Sequence, residues 1–175
     1  MKMINLNKEV SYLPTQKIIA FDKKLFSYLE KKVDKTKSKK FRICLHKNEN
    51  SKLHEMIIIH KNKTYVRPHK HINKSESMEV LKGSATLIFF NQYGKITKTL
   101  KLGAANSGKT FFYKIKKNIM HTFLFHSKYF IFKETTSGPF VRSNTVFPDW
   151  SPENKNIIEA KEFMNNLKYL IKKRK

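Results

Sequence analysis

His69-Lys70-His71-Ile72-Asn73-Lys74-Ser75-Glu76, closed by Gly83, is the stretch that decides how this chain is read. Side chains on a β-strand alternate with a period of two, so two histidines one residue apart point to the same face. Both imidazoles can therefore reach one ion. Ile72 to Ser75 is polar enough to turn the chain, which lets Glu76 return beside the histidines on the next antiparallel strand. His121 opens another β-like run and supplies a third imidazole. Three nitrogens and one carboxylate suit one divalent transition ion, whether Fe, Mn, Ni, Co or Zn.

The spacing resembles the first cupin motif, HxH followed by Glu and then by Gly. The second cupin motif, Pro-x-Gly-x-x-His, corresponds to Lys116-Lys117-Asn118-Ile119-Met120-His121. Its Pro and Gly are absent, so the bend before His121 has to come from Asn118 in a left-handed conformation. Further segments are similar to the WbuC family of cupin metalloproteins. They are Arg42-Ile43-Cys44-Leu45-His46, Tyr65-Val66-Arg67-Pro68-His69-Lys70-His71, Lys74-Ser75-Glu76-Ser77, His121-Thr122, Glu134-Thr135-Thr136-Ser137-Gly138-Pro139-Phe140 and Trp150-Ser151-Pro152. The resemblance implies a small metal-binding barrel associated with surface polysaccharide genes, without implying a particular reaction. Cupins often dimerise, so a homodimer is a further expectation from the resemblance.

Working outward, alternation puts Tyr65 and Arg67 on the face of His69 and His71, as substrate-binding candidates on a cavity wall. Phe123 shares the face of His121 and would form an apolar wall beside the ion. In the run from Thr110 to Ile115, Tyr113 points inward. Glu134 shares a face with Phe130 and Phe132, which places a carboxylate inside a core strand. A buried carboxylate needs a partner or takes up a proton. Glu134 therefore either pairs with a cation such as Arg67 or moves protons, and Glu134 and Tyr113 are the candidate catalytic residues. Cys44 reads as a small buried hydrophobe. His46, His54, His60 and His126 read as hydrogen-bonded, structural or exposed, and Glu79 as solvated because of its odd offset from Glu76.

The short alternating strands predict a mainly β protein, a single small antiparallel barrel or jelly roll with an N-terminal and a C-terminal helix. Apolar residues at helical spacing predict the first helix from Ile18 to Val33. Ser151-Pro152-Glu153 reads as the start of the second, with Ser as N-cap and Pro in the first turn. The layout is residues 1–40 as helical segment and linker, 41–150 as barrel and 151–175 as terminal helix, in one globular unit.

Hydrophobic residues make up 39% and aromatics 13% of the 175 residues, enough for a packed core. No apolar run is long enough to span a membrane, and Met1 to Leu6 lacks a signal-peptide core, so the expectation is cytoplasmic. The single Cys44 excludes an internal disulfide. The formal charge of +24 comes from 37 basic and 13 acidic residues. Only Arg42, Arg67, Arg142 and Arg174 are arginines, and the lysines are spread along the chain. Base readout leans on Arg, so the pattern points to a solvated surface that attracts anionic ligands and not to specific nucleic-acid binding. The expected partner is a small anionic sugar or nucleotide-sugar. Three functions remain open: an isomerase- or epimerase-like enzyme of surface polysaccharide (O-antigen or lipopolysaccharide) biosynthesis, an iron-dependent dioxygenase, and a sugar-binding module without turnover.

Overall fold

The computed structural model describes residues 4–5, 7–13 and 17–173. The expectation drawn from Met1 to Leu6 falls largely outside these residues. In chain order the elements are β1 Ile4–Asn5, β2 Val10–Tyr12, α1 Lys24–Asp34, β3 Lys40–Cys44, β4 Leu53–Lys61, β5 Lys70–His71, β6 Glu76–Lys82 and β7 Ser84–Phe90. Then follow β8 Ile96–Gly103, β9 Phe112–Ile115, β10 Met120–Phe125, β11 Tyr129–Ser137, β12 Thr145–Val146 and α2 Ile157–Lys173. The fold is mainly β with one helix towards each end, as the alternation predicts.

A larger sheet in the order β1-β2-β3-β4-β11-β6-β9 faces a smaller one in the order β10-β7-β8. Between them lies a cluster with Met56, Ile58, Met78, Val80, Phe130 and Phe132 from the larger sheet and Leu87, Phe89, Leu102, Phe123 and Phe125 from the smaller. The alternate residues of β4 and β11, Ile57, Ile59 and Ile131, turn outward and pack under Leu25, Leu29 and Val33 of α1. This is why Met56-Ile57-Ile58-Ile59 is apolar on both faces. On the opposite side, Leu167 of α2 joins Ile88, Phe90, Ile96 and Leu124 on the outer face of the smaller sheet.

Both helices begin later than the sequence predicts. Asp22 Oδ1 accepts from the Lys24 amide at 2.8 Å, which fixes the start of α1 there, and Ile18 ahead of it is 81% exposed. Ser151 is no N-cap, since its hydroxyl donates to the Pro148 carbonyl at 3.0 Å and α2 starts at Ile157. Ile157 stands 77% exposed, off the buried stripe. The segment before α1 is not only helix and linker, because β2 adds to the larger sheet, parallel to β3.

Gly83 closes the β6–β7 turn at φ +88°. A Cβ there would run into the Tyr129 carbonyl and the Ser127 hydroxyl. Asn118 has φ +66°, the left-handed bend expected before His121.

Candidate functional site

Strand register brings the polar residues together. Partners directly opposite in an antiparallel sheet point to the same face. Cys44, Met56, Glu134, Met78 and Tyr113 form one such row across β3, β4, β11, β6 and β9. His54, Thr136, Glu76 and Ile115 form the next row. Arg42, Ile58, Phe132 and Val80 form a third on the other side of the Glu134 row. Because Ile58, Phe132 and Val80 belong to the inter-sheet core, Arg42 also points inward.

His69 and His121 are tied by two backbone hydrogen bonds, His69 N to His121 O at 3.0 Å and His121 N to His69 O at 2.9 Å. Their rings lie side by side, with centroids 4.6 Å apart. The His71 carbonyl accepts from the Asn118 amide at 2.7 Å, so the left-handed turn at Asn118 also anchors the second histidine of the motif.

Glu76 sits between the rings. Its Oε1 is 3.2 Å from His121 Nε2 and its Oε2 is 3.3 Å from His71 Nε2. The Nδ1 atoms are engaged from behind: His69 with the Arg67 carbonyl at 2.9 Å, His121 with the Ile119 carbonyl at 2.9 Å, and His71 with the Thr145 hydroxyl at 3.1 Å. A backbone carbonyl behind Nδ1 keeps a proton on that nitrogen and aims Nε2 into the site, where it can donate to Glu76 or, once deprotonated, ligate an ion, the arrangement that outer contacts give to metal-ligating histidines.

His69, His71, Glu76 and His121 thus converge, although among the described residues no group of three or more His, Cys, Asp or Glu surrounds an ion position as it stands. The carboxylate lies among the rings and contacts the His71 and His121 imidazoles directly. Its contact distances nevertheless fit shared coordination. With metal bonds of about 2.1 Å, neighbouring donors stand about 3.0 Å apart in an octahedron and about 3.4 Å apart in a tetrahedron. The donor set fits a divalent transition ion. His126 is elsewhere, its Nε2 2.8 Å from the Thr86 hydroxyl.

The group opens into a cavity of ≈ 500 Å³ lined by Arg42, Cys44, His46, His60, Tyr65, Arg67, Phe123 and Glu134 among others. Phe123 forms its apolar wall and meets the His121 ring edge-on. Arg67 and Tyr65 are on the wall but already engaged. The Arg67 guanidinium donates to Ser151 Oγ at 3.0 Å and to the Pro148 carbonyl at 3.2 Å and lies over the Phe147 ring. Tyr65 donates its hydroxyl to the Pro152 carbonyl at 2.8 Å. Both fasten the segment before α2, and Arg67 forms no ion pair with Glu134, because that segment claims its donors. Tyr113 points inward but belongs to the core, not the cavity wall. Its buried hydroxyl has no hydrogen-bond partner among the described residues.

Burial and like charge dominate the electrostatics. Burial, then the Glu76 charge, pushes Glu134 up to about 7. Burial opposes ionisation of Glu76 as well, but its contacts with His121 and His71 prevail and hold it well below the carboxylate range. Burial, and then the neighbouring His121, lowers His69 to about 3, so it is neutral and able to ligate. Burial also drives the Tyr113 phenol well up, helped by Glu76 and Glu134.

His46, His54 and His60 are part of the interior. His46 and His54 stack with centroids 4.0 Å apart, and His60 lies on Phe125 and Phe132. The alternation of Arg42, Cys44 and His46 was the signal for this wall. A pairing that sequence reasoning missed is Thr145 of β12 opposite His71 of β5, which supplies the Nδ1 contact from 74 residues away.

The fold is cupin-like. A protein of Shewanella oneidensis solved as a structural genomics target superposes with a TM-score of 0.54 at 12% identity, over 74% of this chain and 85% of that one. The capsular polysaccharide assembling protein CapF from Staphylococcus aureus gives 0.52 at 13% identity, over 65% of this chain and 33% of its own. Procruciferin, an 11S globulin from Brassica napus, gives 0.47 at 15% identity, over 63% and 27%. The chain therefore spans a third or less of the two longer proteins, and at these identities the shared property is the fold. A family model described as a domain of unknown function, DUF6016, matches residues 21–102. It spans His69, His71 and Glu76 and stops before His121, and it is not the WbuC model. No curated protein matches the sequence. Among the described residues no helix is long and apolar enough to cross a membrane.

Proposed function

We propose that this chain is a WbuC-like metalloprotein acting on a sugar or nucleotide-sugar by proton transfer, as an isomerase or epimerase does. The observation that carries the reading is Glu76 in contact with the Nε2 atoms of both His71 and His121, with the His69 ring beside that of His121 and each of the three rings held from behind through Nδ1. His69, His71, Glu76 and His121 would hold one Fe, Mn, Ni, Co or Zn ion, which supplies Lewis acidity toward a carbonyl or hydroxyl oxygen. Glu134 holds and releases a proton. A carboxyl near 7 is matched to acid-base work at neutral pH, and it faces the cavity without an ion pair among the described residues. Phe123 limits water on one side. Tyr113, with its phenol driven up and its hydroxyl in the core, is left as a neutral neighbour of the two carboxylates.

The polysaccharide context draws on the WbuC-like motifs and on the role of CapF in capsular polysaccharide assembly. The test is elemental analysis of protein purified without added metal, followed by a screen of sugars and nucleotide-sugars with and without oxygen. About one ion per chain and oxygen-independent conversion support the proposal. Oxygen-dependent turnover would make the protein a dioxygenase, and binding without conversion a sugar-binding module. Protein that takes up no transition ion would refute the metal centre.

A further inference from the structure

The cavity contains one interior cation that nothing in the preceding reading uses. Arg42 points inward by register, opposite Ile58 and in the same row as Phe132 and Val80. It is partly buried and lines the cavity. Its side chain makes no hydrogen bond or ion pair among the described residues, whereas its backbone is held in the sheet, the amide donating to the Glu9 carbonyl. The other cavity cations differ. Arg67 is committed to Ser151, Pro148 and Phe147. Lys40 approaches Glu9 at 4.0 Å, and Lys74 lies over the Phe140 ring.

A guanidinium facing a cavity with its fork unfilled is a site for a planar anion. We propose that Arg42 anchors the carboxylate of a sugar acid, whose hydroxyl end is turned toward His69, His71, Glu76 and His121. The proposal rests on the sugar-metal reading above and narrows its substrate class. One observation selects a carboxylate over a phosphate: Glu134 faces the same cavity without an ion pair among the described residues, so a dianion meets more repulsion there than a monoanion, for which the single Arg42 fork suffices. The cavity of ≈ 500 Å³ lies in the lower half of the usual range of small-molecule sites, which suits one hydroxylated ring.

The test is binding of D-glucuronate, D-glucose and glucose 6-phosphate to the full chain supplied with the ion that elemental analysis identifies, by isothermal calorimetry. Glucuronate should bind at least about tenfold more tightly than glucose, the scale of a charge-assisted bidentate contact. Arg42→Met should abolish that difference while leaving glucose binding and metal content unchanged. Arg42→Lys keeps the charge without the fork and should lie about tenfold below the parent protein. It decides the matter if circular dichroism shows Arg42→Met to be unfolded. An unchanged glucuronate preference in either variant overturns the assignment. Tighter binding of glucose 6-phosphate, or no glucuronate binding at millimolar concentration, overturns it too. The two readings fail separately: a glucuronate preference that needs Arg42 in protein that binds no metal rejects the metal centre alone. Metal lost in His121→Ala beside a preference insensitive to Arg42 rejects the anion site alone.

Discussion

Replacing Glu134 with Gln removes a charge from the cavity while keeping the shape and most of the hydrogen-bonding capacity of the side chain. The consequence for stability is calculable. The carboxyl moves from its ordinary 4.5 to about 7, first through burial and then through the charge of Glu76. Between those values the native protein holds a proton that the unfolded chain has released, so stability falls as pH rises across that window and is level above it. At about 1.4 kcal/mol per tenfold in the equilibrium, the full cost is of order 3 kcal/mol. Glu134→Gln escapes it. In chelator-treated protein, its Tm should exceed that of the parent by up to about 10 °C at pH 8 and by little at pH 4.5, using about 2–4 °C per kcal/mol for a chain of this size. Differential scanning calorimetry across pH 4.5 to 8 provides the measurement. A Tm difference that does not change with pH would show that Glu134 is not held up by its surroundings, and the inward register of β11 would lose its main electrostatic consequence. In turnover the sign reverses, since loss of an acid-base group should lower the rate by about 10²-fold or more.

Three further outcomes follow from the same geometry. His69→Ala, His71→Ala and His121→Ala should each lower metal content strongly, whereas His126→Ala, whose parent ring faces Thr86, should leave it unchanged by elemental analysis. Thr145→Val removes the partner of His71 Nδ1 and should weaken metal affinity by about 10–100-fold in a chelator competition, without removing a ligand. Gly83→Ala should lower Tm markedly in a melting experiment, because the left-handed turn has no room for a Cβ beside the Tyr129 carbonyl.

The candidate metal group was legible because its parts are local. HxH needs only the strand period, and Glu76 and Gly83 follow at short range, so alternation and turn chemistry suffice. The inward position of Glu134 was legible for the same reason, Phe130 and Phe132 marking the core face of its strand. What alternation cannot supply is the partner. Arg67 looked like the counter-ion of Glu134 because alternation puts it on the cavity face of His69 and His71, but its donors go to Ser151 and Pro148, more than 80 positions away. The same non-local demand displaced the start of α2, since a Ser that receives Arg67 and donates to Pro148 is not free to cap a helix. Arg42 shows the converse. Its alternation with Cys44 and His46 was visible as a polar-looking strand face, yet only register places Arg42 opposite Ile58 and in line with Phe132.

The distribution of charge then separates attraction from selection. The formal charge of +24 is carried by scattered lysines, so the exterior raises the local concentration of any anion and does so less at higher salt, where the field falls off within about 8 Å at physiological ionic strength. Such a field cannot distinguish a phosphate from a carboxylate. Inside, the balance is different: Arg42 shares a partly enclosed cavity with Glu76 and Glu134, where each charge is less screened than at the surface and an unmatched one is costly. Salt should therefore weaken the association of glucuronate, glucose 6-phosphate and duplex DNA alike. The ratio of glucuronate to glucose 6-phosphate affinity, set behind the surface by Arg42, should change much less over the same titration.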